Sequence, residues 1–299
     1  MESLYESCRL CPRNCGVNRL AGETGACGMG HTLRAARAAL HAWEEPCLSG
    51  ERGSGAVFFS GCPLNCVFCQ NGQISAGVCG KELSVHRLAA IFLELQEKGA
   101  HNINLVTPTH FLPSICEALD QARRDGLTLP VVYNTSGYEK AEVLRMLEGY
   151  VDIWLPDFKY ISSDIAGRYS AAPDYFSHAS AALAEMVRQA GEPQFDGDGM
   201  MRKGVIVRHL LLPGCGEDSR AVIRYLFETY RHRIYLSIMN QYTPLSWVQP
   251  YPELNRPITP QEYDAILDYA LSLGVENAYI QEEGTAEESF IPLFDYEGI

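Results

Sequence analysis

From residue 56 onward, short apolar runs alternate with longer helical patterns, and this alternation restricts the fold more than any other feature of the chain. The runs are AVFFSG (56–61), NINLVTP (102–108), PVVYNTS (130–136), DIWLPDFK (152–159), GVIVRHLLLP (204–213), YLSIMNQYTP (235–244) and NAYIQ (277–281). Strands that are apolar almost throughout are buried on both faces, as in a parallel sheet; half-solvated antiparallel strands alternate polar and apolar residues instead. Between the runs lie SVHRLAAIFLELQEKG (84–99), LPSICEALDQARRDG (112–126), EKAEVLRMLEG (139–149), DYFSHASAALAEMVRQAG (174–191), DSRAVIRYLFETYRH (218–232) and TPQEYDAILDYALSLG (259–274). Several open on Ser, Asp or Thr-Pro and close on Gly, the start and stop signals of helices.

Repeated strand–helix order requires right-handed crossovers, which curve or close a parallel sheet. The expected fold is therefore α/β: a partial or complete parallel (β/α) barrel, (β/α)6 by the count of units, with a small cysteine-rich N-terminal extension. A flat doubly wound sheet is the alternative. The expected division is 1–50 for the extension and 51–299 for the barrel, with the turn-rich GEPQFDGDGMMRKG (191–204) as an exposed excursion.

With 46% hydrophobic and 20% charged residues, the 299-residue chain can bury a full core. Its 24 basic against 37 acidic residues give a formal charge of −13, which argues against nucleic acid as a partner. The start MESLYESCRLC lacks a basic and then apolar leader, and no apolar run approaches the roughly 18 residues of a membrane span. A cytoplasmic protein without a membrane partner is expected.

The cysteines are grouped: Cys8, Cys11, Cys15 and Cys27 in one set, Cys62, Cys66 and Cys69 in another. In a reducing compartment such spacing points to metal before disulfide. Cys47, Cys79, Cys116 and Cys215 stand alone and are expected as small buried hydrophobes. The second set, in GCPLNCVFCQ (61–70), follows directly on the first strand, at the sheet edge where barrel enzymes place their chemistry. Three thiolates are one short of the set that a structural zinc ion or an ordinary four-iron cluster takes. A four-iron cluster on three thiolates leaves one iron open to a small molecule, whereas a distant Cys or His would complete a zinc site.

This C-x3-C-x2-C loop, with Phe68 as the aromatic before its third cysteine, resembles the signature of the radical S-adenosylmethionine (SAM) superfamily. The resemblance implies a [4Fe–4S] cluster on Cys62, Cys66 and Cys69 whose open iron binds the amino and carboxylate groups of SAM, with Phe68 beside the cofactor. It also implies an oxidoreductase that cleaves SAM reductively to a 5′-deoxyadenosyl radical, abstracts hydrogen from a substrate, and draws electrons from a donor such as flavodoxin or ferredoxin.

Most of residues 8 to 250 resemble the pyruvate formate-lyase activating enzyme branch, in particular homologues with a cysteine-rich N-terminus. VIVRHLLLPG is similar to the branch's Arg-containing strand, which implies Arg208 near the carboxylate or ribose of SAM; an internal salt bridge is the alternative. PVVYNTSG and WLPDFK are similar to strand ends that imply Asn134, Thr135 and Asp157 near the methionyl group, where the activating enzymes hold a monovalent cation. Asn134 replaces the branch's Asp and removes a negative charge there, and Lys159 could instead neutralise Asp157. LVTPTHF stands where many members have Gly-Gly-Glu, so Thr107, Thr109 or a backbone carbonyl is expected to receive the amino group. His110 at that position is a candidate substrate contact or acid–base group, with a packed or capping histidine as the alternative.

Cys8-x2-Cys11-x3-Cys15-x11-Cys27 is a full four-ligand set, so that site should be structural or electron-transferring, with no exchangeable position. Zinc and a second iron–sulfur cluster both fit, and the presence of a single set favours zinc. The glycines after Cys15 and Cys27 suit tight metal-knuckle turns. The expected reaction is hydrogen abstraction from a glycyl or other carbon position of a protein or peptide. Residues 235–257, including Tyr242, are rich in the aromatic and amide side chains that suit an extended substrate, or that would simply seal the barrel's side. A mutase or oxidase acting on a small molecule is an alternative, as is a non-enzymatic electron carrier in which Cys79 completes the three-cysteine site.

Overall fold

A computed structural model describes residues 2–281 and 292–299. One sheet organises them, with strands β1 (Leu33–His41), β2 (Ser54–Phe59), β3 (Lys81–Leu83), β4 (Ile103–Val106), β5 (Val131–Thr135), β6 (Ile153–Pro156), β7 (Gln194–Phe195), β8 (Met201–Leu210), β9 (Tyr235–Met239) and β10 (Ala278–Ile280). The spatial order is β10-β9-β8-β6-β5-β4-β2-β1-β3, with β7 paired to β8. From β2 to β10 each neighbouring pair on this path is parallel, so the seven apolar runs of the sequence are the parallel strands of a partial (β/α) barrel. Every residue of β2, β4 and β6 is buried, as strands covered on both faces must be.

The helices are α1 (Pro46–Ser49), α2 (Gly72–Ser75), α3 (Val85–Glu97), α4 (Leu112–Arg124), α5 (Ala141–Leu144), α6 (Ser163–Ser170), α7 (Tyr175–Ala190), α8 (Gly216–Tyr230) and α9 (Pro260–Leu273). The sequence signals act as expected. Ser84 Oγ accepts the Arg87 N–H at the start of α3. Thr259 and Glu262 form a reciprocal cap on α9, behind Pro260 and ahead of a left-handed Gly274.

Three elements differ from expectation. Residues 33–41, assigned by sequence to the extension, form β1, which pairs antiparallel with β2 and β3 and belongs to the central sheet. The short α6 was not foreseen. The 191–204 excursion is an antiparallel hairpin, since β8 begins at Met201 and pairs with β7. Residues 292–299 dock on β1: Ala38 N–H donates to Glu297 O, Tyr296 N–H donates to Ala36 O, and Arg37 pairs with Asp295 and Glu297.

Strand periodicity divides the barrel. Val132, Leu155 and Ile206 pack with Cys47 and Leu48 of α1 into an apolar floor. Two residues further along the same strands, Asn134, Asp157 and Arg208 line a cavity. Among the described residues no helix is long and apolar enough to cross a membrane.

Candidate active site at the carboxyl ends of the strands

Register places the cavity. Val106 pairs with Asn134, Thr135 with Pro156, and Asp157 bridges Arg208, so the strand ends advance side by side around one opening. Thr107 N–H donates to Asn134 O at 2.8 Å and Asp157 N–H to Thr135 O at 2.8 Å. The resulting cavity, about 200 Å³, is bordered by Thr107, Asn134, Thr135, Asp157, Arg208 and the three loop cysteines. Thr107 holds φ at +57°, a region that a β-branched residue occupies only when its surroundings force it.

The cysteine loop enters over Gly61, whose φ is +85° and whose missing Cβ would lie 2.4 Å from Met29 and 2.7 Å from the Cys27 carbonyl. Cys62, Cys66 and Cys69 then line the cavity wall. Burial first, and then the neighbouring thiols, pushes Cys62 up to about 12; burial pushes Cys66 up to about 11 against the lowering effect of Lys159. Ser170 Oγ donates to Cys66 Sγ at 3.1 Å and is itself hydrogen-bonded to the Tyr160 hydroxyl at 2.9 Å, with both residues buried. Ser75 bonds the Cys69 sulfur. Lys159 Nζ lies 2.6 Å from Asp157 Oδ2; burial opposes its charge, but Asp157 and Cys66 outweigh burial and hold the ammonium protonated. Hydroxyl donors and a fixed cation beside three sulfurs suit an anionic, thiolate-bound cluster. Among the described residues no three His, Cys, Asp or Glu donors stand where they could share one metal ion.

Phe68 lines the same cavity, with its ring 6.4 Å from that of Tyr242 and the Lys159 ammonium 5.8 Å away. Tyr242 borders the cavity with its ring, while its hydroxyl donates to Leu254 O at 2.6 Å. Arg208 also borders it, but Glu45 grips the guanidinium at 2.8 and 2.7 Å and Glu44 makes a further contact. That buried ion pair holds the Glu45 carboxyl below its usual range despite the opposing effect of burial. Thr109 and His110 do not border the cavity. Beyond Thr107 the chain turns through Thr109–Phe111; Thr109 donates to Glu139 at 2.5 Å and His110 Nε2 to Ser60 O at 2.7 Å. Burial lowers the His110 pKa to about 3, so its ring is neutral. Cys79 lies off the cavity as well, its carbonyl accepting the Ser60 hydroxyl at 2.6 Å.

Sequence reasoning missed Glu44, Glu45, Ser170, Tyr160 and the buried Glu139. The acidic pair before Pro46 was the available signal, but its partner Arg208 is more than 160 positions away. Nothing local marks Ser170 as a neighbour of Cys66.

A partial parallel barrel with a three-cysteine loop after its first parallel strand opens on a polar cavity at the strand ends, the edge where barrel enzymes place their chemistry. A Radical SAM superfamily profile matches residues 56–226, and the chain belongs to that superfamily. With that membership come a [4Fe–4S] cluster and SAM, which make the protein a SAM-cleaving radical enzyme. An uncharacterized protein of Methanocaldococcus jannaschii, MJ0674, is 27% identical over 286 residues, covering 93% of this chain and 78% of its own. The fold is similar to that of a radical SAM methyltransferase from Sphaerobacter thermophilus, with a TM-score of 0.53 and 14% identity over 78% of this chain and 67% of that one. It is also similar to that of Streptococcus suis SuiB, solved bound to the precursor peptide SuiA; there the TM-score is 0.51 and identity 12%, over 75% of this chain and 47% of that one.

Proposed function

We propose that the protein is an oxidoreductase of the activating-enzyme-like branch, taking hydrogen from a glycyl or other carbon position of a protein or peptide. The observation that carries this reading is the convergence of the three loop cysteines on one cavity with oxygen-bearing residues from adjacent strand ends. In this reading Cys62, Cys66 and Cys69 hold the cluster, while Thr107, Asn134, Thr135 and Asp157 receive the methionyl end of SAM. When bound, the reduced cluster supplies the electron that cleaves SAM to the hydrogen-abstracting radical. Lys159 and Ser170 stabilise negative charge on the Cys66 sulfur from fixed positions. The pairing of Lys159 with Asp157 weakens the case for a monovalent cation there. Arg208, saturated by Glu44 and Glu45, braces the cavity wall in place of a free anion clamp.

A peptide substrate is supported by a cavity that opens beside the exposed Trp43 and is bordered by Gln241, Tyr242 and Thr243. The SuiB structure adds a similar fold solved with a peptide bound. A cytoplasmic flavodoxin or ferredoxin is the proposed electron source. The test is anaerobic reconstitution with iron and sulfide, reduction, addition of SAM, and assay for 5′-deoxyadenosine with and without deuterated glycine-containing protein from the source cell. Deuterium recovered in the nucleoside is the expected result. Nucleoside formed without deuterium transfer from any polypeptide would favour a small-molecule substrate.

A further inference from the structure

We infer that Cys8, Cys11, Cys15 and Cys27 hold a second [4Fe–4S] cluster, outside the cavity and in a segment that packs against the three-cysteine loop. The segment is folded as a ligand cage. Cys8 N–H donates to Val17 O and Gly16 N–H to Cys8 O, both at 2.9 Å, which ties the Cys8 limb to the limb bearing Cys15. Cys15 in turn lies against the limb bearing Cys27: a Cβ on Gly25 would meet Cys15 Sγ at 2.7 Å, and Ala26 N–H donates to that sulfur at 3.3 Å. Backbone N–H groups of Arg13 and Met29 serve Cys11 and Cys27 in the same way. The four thiols are close enough to act on one another electrostatically, Cys11 with Cys15 and Cys27, and Cys27 with Cys8 and Cys15.

Arg19 is an independent sign that this cage holds negative charge. It is 1% exposed, and no carboxylate is among its partners in the described residues. Its guanidinium donates to the carbonyls of Met29, Gly30 and His110, stacks 4.7 Å over Tyr5, and reaches Cys8 Sγ at 3.9 Å. A guanidinium taken out of water needs an anion beside it, and a cluster bound by four thiolates is one. A single zinc ion would supply charge too, but it requires its donors to share one point, and no three donors among the described residues do. The quartet shares this property with the cavity triad. The cage also touches the catalytic loop, since Asn65 reaches Ala26 O at 3.5 Å and Arg13 donates to Pro63 O and Leu64 O at 2.9 and 3.1 Å.

The test is metal analysis of the full chain carrying Cys62→Ala, Cys66→Ala and Cys69→Ala, purified and reconstituted without oxygen. About four iron and four sulfide per chain, with a reducible cluster signal in electron paramagnetic resonance (EPR), are expected. One zinc per chain, or no metal, would overturn the inference. If that variant does not fold, Cys11→Ser with Cys15→Ser in the otherwise native chain should lower iron from about eight to about four. An iron content already near four and unmoved by the double substitution would overturn it equally.

Discussion

The two cysteine groups offer the same side chain next to one loop, and their surroundings differ in the ways that would separate a reactive centre from a closed one. The triad lines the strand-end cavity, and no residue of the quartet borders it. Beside the triad stands Lys159, whose charge is already matched by Asp157 at 2.6 Å. Beside the quartet stands Arg19, which has backbone carbonyls and a sulfur but no carboxylate among its described partners. In the proposed assignment the exchangeable site faces space and its cation is paired with the protein's own acid, whereas the closed site would leave the balancing of Arg19 to the bound centre.

Substitutions can break this contrast, beginning with the largest effect. Cys69→Ala should abolish 5′-deoxyadenosine formation, whereas Cys27→Ala, once folded, should retain it; equal loss from both would merge the two groups into one function. Next comes the ion pair that walls the cavity. Glu45→Gln leaves the Arg208 guanidinium short of a buried partner and should cost about 3–5 kcal/mol in denaturant unfolding.

Glu139 lies between the two groups. Its Oε1 accepts from Thr109 and from Thr135, which borders the cavity, and its charge bears on Cys11. Burial raises its carboxyl to about 7 from an ordinary 4.5, against the lowering effect of those hydroxyls. The unfolded chain therefore releases this proton first, and stability should fall as pH rises through that window, by on the order of 3 kcal/mol at most. Glu139→Gln should flatten the dependence, as measured by melting of the metal-free chain from pH 4 to 8.

Gly25→Ala presses a Cβ against Cys15 and should cost about 1–3 kcal/mol while leaving SAM cleavage by the triad in place. Smallest is Ser170→Ala, which removes the O–H donor to Cys66. At about 1 kcal/mol for one such bond, the potential of the cavity cluster should fall by on the order of 40 mV, readable by redox titration.

Much of this contrast was legible in the chain. Parallel strands announce themselves because burial on both faces removes polar alternation, and the triad announces itself by spacing and by its place after a strand. β1 escaped because LRAARAALH is built from Ala and Arg, both helix formers, and becomes a strand through pairing with β2 on one side and β3 on the other. Thr109 and His110 looked like cavity residues because they follow a strand end. The positive φ of Thr107 redirects the chain just before them, and a backbone dihedral at one threonine leaves no trace in sequence. The charges that balance Arg208 and Lys159 were unequal in this respect: Asp157 is two residues from its partner, while Glu45 is 163 away.

In the proposed assignment the cluster on Cys62, Cys66 and Cys69 keeps an iron open to SAM. Its most direct test is EPR of the reduced, reconstituted chain before and after SAM is added. SAM is expected to shift the signal in the native chain and in a folded Cys27→Ala chain, and the SAM-sensitive signal should be missing from Cys69→Ala. A reduced cluster signal that SAM leaves unchanged in the native chain would contradict it.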